Sequence, residues 1–448
     1  MKSIGIDIGT TSISAVLMDA ADDRVIRSWT IANPGFLPAS EPWERIQDPR
    51  AIVVAAKGLL NEILAGAEDV GVIGLTGQMH GIVYLDENGS PVSPLMTWQD
   101  GRGNQPVAGG ASLCEVIGEK YGVKAYSGYG LVTHLYNLKA GRVPEGAAAV
   151  ATIMDYFGMA LTGAMKPVLH SSNAASLGLY DLEKHAWRAD ILADFGEDGG
   201  ILPKVVNDFE VVGHYQGIPV SVAIGDNQAS FFGSVEQASE EILVNMGTGG
   251  QISLLSRNIL KAEDIETRPF NGGAYLVVGA SLCGGRAYAV LADFFTACAK
   301  AFGVQKPDVY GVMEKWLREP RLQDPMTVDT RFAGTREHPK LRGGIANLSP
   351  ENLTPAGLTR GVLEGMAGEL LGLYRTMAAG LNVSRSKIVA SGNGMRRNEA
   401  LQRITSEAFG MELRLSAHTE EAACGAALAG LSAIGERAWQ DAVGYAMD

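Results

Sequence analysis

The segment Asp7-Ile8-Gly9-Thr10-Thr11 brings together a carboxylate, a glycine and two hydroxyls. Glycine lets a backbone approach a phosphate with no Cβ in the way, threonine hydroxyls and amides donate hydrogen bonds, and an aspartate can hold Mg²⁺ directly or through water. Taken alone, Gly-Thr is also an ordinary hairpin turn. A second copy changes its weight: Asn245, Gly247 and Thr248 fall where Asp7, Gly9 and Thr10 fell, followed by Gly249 and Gly250. Two such turns, one per half of the chain, can clamp successive phosphates of one nucleotide.

Four further segments carry chemistry. Thr76-Gly77-Gln78-Met79-His80-Gly81 follows a strand-like run; in isolation His80 reads as a satisfied histidine and Met79 as packing. In Thr97-Trp98-Gln99-Asp100-Gly101-Arg102 the indole offers an apolar platform to a ligand, and Asp100 with Arg102 forms either a loop-ordering pair below it or a plain surface pair. Gly225-Asp226-Asn227-Gln228-Ala229 lies between the two Gly-Thr turns and would by itself be a turn or a helix cap. Gly392, Asn393 and Gly394 follow the apolar run Lys387 to Ser391 and precede a polar helix expected from about Met395 to Phe409, with Asn398 inside it. A strand, glycine turn and helix in that order can hold a nucleotide.

These segments need elements to position them. Ile4, Ile6 and Ile8 alternate with Gly5 and Asp7, the period of a half-buried strand, so Asp7 points away from the isoleucine face. Runs at Ile13 to Met18 and Val25 to Ile31 extend this into an antiparallel meander, with a turn at 9–12, and Val70 to Thr76 reads as another strand. Thr354 and Pro355 open an amphipathic helix expected over 355–378. The alternation of strands and helices predicts an α/β class. The short repeat at the head of each half predicts two similarly built domains, residues 1–230 and 231–448, facing each other across a cleft.

With 448 residues the chain exceeds the ~250–300 at which single cores stop growing. The 46% hydrophobic and 19% charged fractions are those of a globular protein, and no apolar run approaches the ~18 residues of a membrane span. The beginning alternates into a strand, unlike a secretory signal, so a cytoplasmic protein is expected. The formal net charge of −13 argues against a nucleic-acid partner, and an anionic ligand would need backbone amides and a divalent cation. The four cysteines, Cys114, Cys283, Cys298 and Cys424, have no metal or redox spacing and read as reduced core residues.

The ordered set of motifs, from residue 5 to about 430, resembles the FGGY family of carbohydrate kinases, within the actin, sugar-kinase and heat-shock ATPase superfamily. The resemblance implies two duplicated actin-like (ribonuclease H-like) domains, ATP and Mg²⁺ as cofactors, and a ketose as substrate. Asp226 would be the catalytic base and Asn227 would bond a neighbouring sugar hydroxyl. Gln78, Met79, His80, Trp98 and Asp100 would lie at the sugar. Gly9, Thr10, Thr11, Gly247, Thr248 and Gly249 would bind phosphates, Asp7 the metal, and Gly392, Asn393, Gly394 and Asn398 the adenosine. The family usually has more consecutive glycines where Asn393 and Met395 stand. Met79-His80 replaces the Arg-Glu of glycerol kinases, which tilts the substrate away from glycerol.

Trp98 to Arg102, Phe332 to Arg336 and Pro339 to Arg342 look most like the sedoheptulokinases. Transfer to a terminal primary hydroxyl is then expected, with a xylulose-type pentulose or polyol kinase as the alternative. The resemblance leaves room for a homodimer. A chaperone-like ATPase or a catalytically silent sugar-binding regulator would share parts of the pattern.

Overall fold

The computed structural model describes residues 1–445. The chain forms two compact units. The first comprises Met1–Gly233, Arg268–Ala274 and the segment from Glu420 on; the second comprises Ser234–Thr267 and Tyr275–Thr419. Each has its own sheet and its own apolar core.

In the first unit a seven-stranded sheet has the order Val211–Tyr215, Ile218–Ser221, Val70–Gly77, Lys2–Ile8, Ser12–Asp19, Val25–Ala32, with the short strand Ile224–Gly225 also pairing Val70–Gly77. Lys2–Ile8 runs antiparallel to Ser12–Asp19 and parallel to Val70–Gly77. The isoleucine face is buried as its alternation requires, with Ile4, Ile6 and Ile8 packed with Ile52, Leu60 and Phe157. Ile52 and Leu60 come from the helix Pro49–Gly66, which starts where the Asp48 carboxylate accepts from the amides of Arg50 and Ala51.

The opposite face is closed by the helix Glu421–Ala433, far away in sequence. Its composition of Ala, Gly and Cys brings its backbone onto the sheet. A Cβ on Gly5 would lie 1.8 Å from the Ala423 carbonyl oxygen, one on Gly74 1.8 Å from that of Ala426, and one on Gly425 1.9 Å from that of Ala229. Those glycines are therefore fixed by contact with backbone, which cannot give way as a flexible side chain can.

The second unit repeats the pattern. Its six-stranded sheet has the order Ile265–Pro269, Tyr275–Ser281, Gly250–Ser256, Glu241–Met246, Lys387–Ser391, Glu412–Leu415. Glu241–Met246 is antiparallel to Gly250–Ser256 and parallel to Lys387–Ser391, as Lys2–Ile8 is to its two neighbours. The register agrees as well: Asp7 stands opposite Thr76, and Asn245 opposite Ser391.

The helix expected over 355–378 runs Pro355–Leu381, capped by Thr354 and ended by Asn382 in the left-handed region. The single helix expected from Met395 to Phe409 is a correction: two helices, Gly392–Arg397 and Glu399–Phe409, meet at Asn398. Asn398 is extended, and its side chain caps the second helix by accepting from the Leu401 amide at 2.9 Å. All four cysteines are free; Cys283 and Cys424 are buried, and Cys114 and Cys298 half-buried. Among the described residues no helix is long and apolar enough to cross a membrane.

Candidate active site

In the first unit the ends of three adjacent strands bring Asp7, Thr76 and Ile224 into register. Carboxyl ends of parallel strands are where open α/β sheets bind ligands. Asp226 follows directly, as the first residue of the helix Asp226–Phe232. Its Oδ1 accepts from Asn227 Nδ2 at 2.8 Å, and Asn227 Oδ1 in turn accepts from Arg268 Nη1 at 2.6 Å. Desolvation raises the Asp226 pKa, opposed by the Asn227 hydrogen bond and by the Arg268 charge. The result is a carboxylate held in one orientation and made more basic than an exposed one. Arg268 lies 8% exposed and was not singled out in the sequence, because nothing near it in the chain marks it.

Asp7 is less satisfied. Its Oδ1 is shut from solvent and has no hydrogen-bond partner. Burial, followed by the negative charges of Asp226 and Glu420, pushes its pKa up to about 7. An orphaned buried carboxylate oxygen beside other acids fits a cation ligand, and Mg²⁺ characteristically takes one or two protein carboxylates, with phosphate and water supplying the rest. Among the described residues no group of three or more His, Cys, Asp or Glu forms a protein-only metal cage.

The residues expected at the sugar divide into two kinds. His80 has a left-handed backbone, φ 73°, and its ring stacks on Tyr129 with centroids 4.6 Å apart and planes 3° apart. Its Nδ1 lies 2.7 Å from the Ser176 carbonyl oxygen. A carbonyl only accepts, so Nδ1 carries the hydrogen, and in the neutral ring Nε2 is a lone-pair acceptor. Trp98 is 46% exposed, and its indole N–H donates to Thr10 Oγ1 at 3.0 Å. Met79 is 3% exposed and packs against Gly225, where a Cβ would meet its terminal methyl at 2.6 Å.

Asp100 and Gln78, by contrast, are scaffold. Asp100 is 1% exposed; its Oδ1 and Oδ2 accept from Arg102 Nε and Nη2 at 2.7 and 3.0 Å, and Oδ2 also accepts from the Arg45 amide. The expected pairing of Asp100 with Arg102 is thus formed, as a buried bidentate pair that orders this loop. Gln78 donates to Gln47 Oε1 at 2.8 Å and accepts from Thr10 Oγ1 at 3.2 Å. The Thr10 hydroxyl proton therefore goes to Gln78, and what the first turn can offer a phosphate is its amides and the exposed Thr11.

In the second unit the turn Gly247-Thr248-Gly249 seats the helix Gly284–Ala301: the amides of Gly285 and Arg286 donate to the carbonyls of Gly247 and Thr248, each at 3.0 Å. Gly392, at φ 82°, and Gly394 pack against Met246, where added Cβ atoms would lie 2.7 Å from its carbonyl oxygen. Asn393 is exposed at that bend. Tyr288, in a tilted ring contact with Tyr310, has Asn398 as a polar neighbour. These tyrosines sit beside an expected adenosine residue, and their spacing in the sequence gives no motif. A cavity of about 780 Å³ elsewhere in this unit, lined by Asp329, Arg331 and Glu369, includes none of the expected site residues.

Residues 3–233 match the N-terminal domain, and residues 242–434 the C-terminal domain, of the FGGY family of carbohydrate kinases. The sedoheptulokinase of Mus musculus is 27% identical over 455 aligned positions, covering 91% of this chain and 92% of that protein. A xylulose kinase of Lactococcus lactis is 26% identical over 92% of this chain and 83% of its own length. The crystal structure of xylulose kinase from Rhodospirillum rubrum superposes with a TM-score of 0.84 at 22% identity, over 99% of this chain and 92% of that one. With both domain matches in sequence order over nearly the whole chain, the protein belongs to the FGGY family of carbohydrate kinases, phosphotransferases with an alcohol group as acceptor.

Proposed function

We propose that this kinase transfers the γ-phosphoryl group of ATP to a terminal primary hydroxyl of a ketose, with sedoheptulose as the first candidate. The observation that carries the reading is Asp226: a half-buried carboxylate of raised pKa, with one oxygen anchored by Asn227 and the other left to take a proton. The sugar hydroxyl gives its proton to Asp226 as its oxygen bonds to the γ-phosphorus; the bond to the β-phosphate oxygen breaks, and ADP leaves. Asn227, held by Arg268, and His80, through Nε2, orient neighbouring sugar hydroxyls over Met79 and beside the Trp98 indole. Asp7 would hold magnesium, which supplies charge neutralisation for the triphosphate. Amides and hydroxyls at Gly9-Thr10-Thr11 and Gly247-Thr248-Gly249 hold phosphates, and the bend Gly392-Asn393-Gly394 with Asn398 the adenosine.

The likeness to the mouse sedoheptulokinase and the Met79-His80 pair support a ketose. The xylulose kinases among its relatives support the pentulose alternative. A coupled ADP-release assay over sedoheptulose, xylulose, ribulose, fuculose, rhamnulose, erythritol and glycerol decides between them: the highest kcat/KM is expected on sedoheptulose. Highest turnover on glycerol would overturn the ketose reading. Asp226→Ala is expected to lose about 10²–10⁴ in kcat while still binding ATP.

A further inference from the structure

The helix Ser171–Ser176 has no place in the motif set, yet it touches both sides of the expected sugar site. Ser172 Oγ accepts the Gly225 amide at 3.0 Å, one residue before Asp226. Asn173 Nδ2 donates to the Ala223 carbonyl at 2.9 Å, two residues earlier in the same loop. Four positions on from Ser172, Ser176 Oγ accepts the His80 amide at 3.2 Å, and the Ser176 carbonyl accepts from the His80 ring at 2.7 Å. Ser172, Asn173 and Ser176 are all 5% exposed or less.

The helix is itself pinned from behind. His170 accepts the Ser172 amide on Nδ1, so Nδ1 is the unprotonated nitrogen; the Ser172 hydroxyl donates to the same atom, and Nε2–H goes to the Asn207 carbonyl. This leaves the Ser172 oxygen lone pairs for Gly225. Burial holds His170 neutral, its pKa down to about 4. Asp155 Oδ2, bonded by Thr152 at 2.5 Å, lies 3.4 Å from Asn173 Nδ2.

We infer that the helix Ser171–Ser176 is the positioning element of phosphoryl transfer, a gauge that fixes the separation of Asp226 from His80. Ser172 and Asn173 set the backbone that carries Asp226, and Ser176 sets the strained His80. The inference rests on the reading of Asp226 as base and His80 as sugar contact. A single rigid turn couples the proton acceptor to the group that orients the acceptor sugar, so a shift at either serine misaligns the attacking hydroxyl. Misplacement by about 1 Å is enough to cost on the order of 10²-fold in rate.

The test is steady-state kinetics on the full chain, with sedoheptulose and xylulose as sugars. Ser172→Ala is expected to lower kcat roughly tenfold with KM for ATP unchanged. Ser176→Ala is expected to raise the sugar KM roughly fivefold and leave KM for ATP unchanged. Asn173→Asp is nearly isosteric, but when ionised it cannot donate to Ala223. The titratable groups around it are Asp155, His170 and, along the loop it holds, Asp226. Burial beside Asp155 raises the new carboxyl's pKa, so kcat relative to wild type should be low at pH 8 and recover toward pH 6, where the acid form donates.

A merely structural role would lower the melting temperature without that pH profile or the split between kcat and KM. Wild-type kinetics in all three variants, with Asp226→Asn inactive, would overturn this inference alone. An active Asp226→Asn would overturn the reading beneath it and the inference together. If Asn173→Asp does not fold, as judged by its circular-dichroism melt, the two serine variants decide.

Discussion

The two Gly-Thr turns share backbone pattern and register but not chemistry. At the head of the first unit Asp7 keeps a buried oxygen without a partner. At the corresponding place in the second unit, Asn245 donates from Nδ2 to Ser391 Oγ at 2.9 Å. The threonines differ in the opposite direction: Thr10 is tied to Gln78 and Trp98, whereas Thr248 is exposed. A duplicated frame has been filled once with an ionisable, unsatisfied group and once with a neutral, satisfied one. The orphan is costly to a folded protein unless a ligand completes it, which is why the proposed cation is assigned to the first turn.

The largest effect is expected from making the first turn resemble the second. Asp7→Asn should reduce kcat on the order of 10²–10³, in the range seen when a preorganised charge-stabilising group is removed. The same change should raise stability at pH 8. Because the folded-state pKa of Asp7 is raised to about 7 from 3.8, the native protein holds this proton more tightly than the unfolded chain. Its contribution to stability therefore falls as pH rises between about 4 and 7, and the loss is complete above that window. Melting temperatures across pH 4–8 should show the Asp7→Asn variant gaining on wild type as pH rises. Added MgCl₂ with ADP should close the gap by stabilising wild type only; equal stabilisation of both would remove Asp7 from metal binding.

The reciprocal change, Asn245→Asp, puts a charge where the fold has a satisfied amide. Roughly tenfold weaker ATP binding is expected, from repulsion of the phosphates, readable by calorimetry. Activity unchanged at saturating ATP would sharpen the comparison, and unchanged affinity would break it. The smallest effect should come from Thr10→Val, which removes the hydroxyl linking Gln78 to Trp98. About a fivefold rise in the sugar KM, with KM for ATP unmoved, is the expected split. A rise in KM for ATP alone would return Thr10 to the phosphates.

Much of this arrangement was legible in the sequence, because strand alternation and glycine turns are local signals. Ile4, Ile6 and Ile8 announced both their strand and the direction of Asp7, and the matched pair of turns announced a duplicated fold. What escaped reading depended on distance along the chain. Arg268 reaches Asn227 from forty-one positions away, and Ser171–Ser176 is a short polar run with no hydrophobic period, capped by His170, a residue type that does not mark a helix start in the sequence. Trp-x-Asp-x-Arg reads the same whether the Asp100–Arg102 pair is a surface pair or a buried one that orders the loop, and the 1% exposure of Asp100 separates the two. Asn398 looked like part of a continuous helix, and its capping bond to Leu401 is what divides it.

The helix Glu421–Ala433 lies on the first unit's sheet against Gly5 and Gly74, with its own Gly425 against Ala229, and there is no room for a single extra carbon. During synthesis the strands at the front of the chain emerge long before their cover does. Until the ribosome has released the stretch after Glu420, one side of that sheet is bare apolar surface and glycine backbone, open to chaperones and to other nascent chains. Completion of the first unit thus waits on a segment far downstream of its own strands, and premature termination before Glu420 should yield aggregation rather than a working fragment.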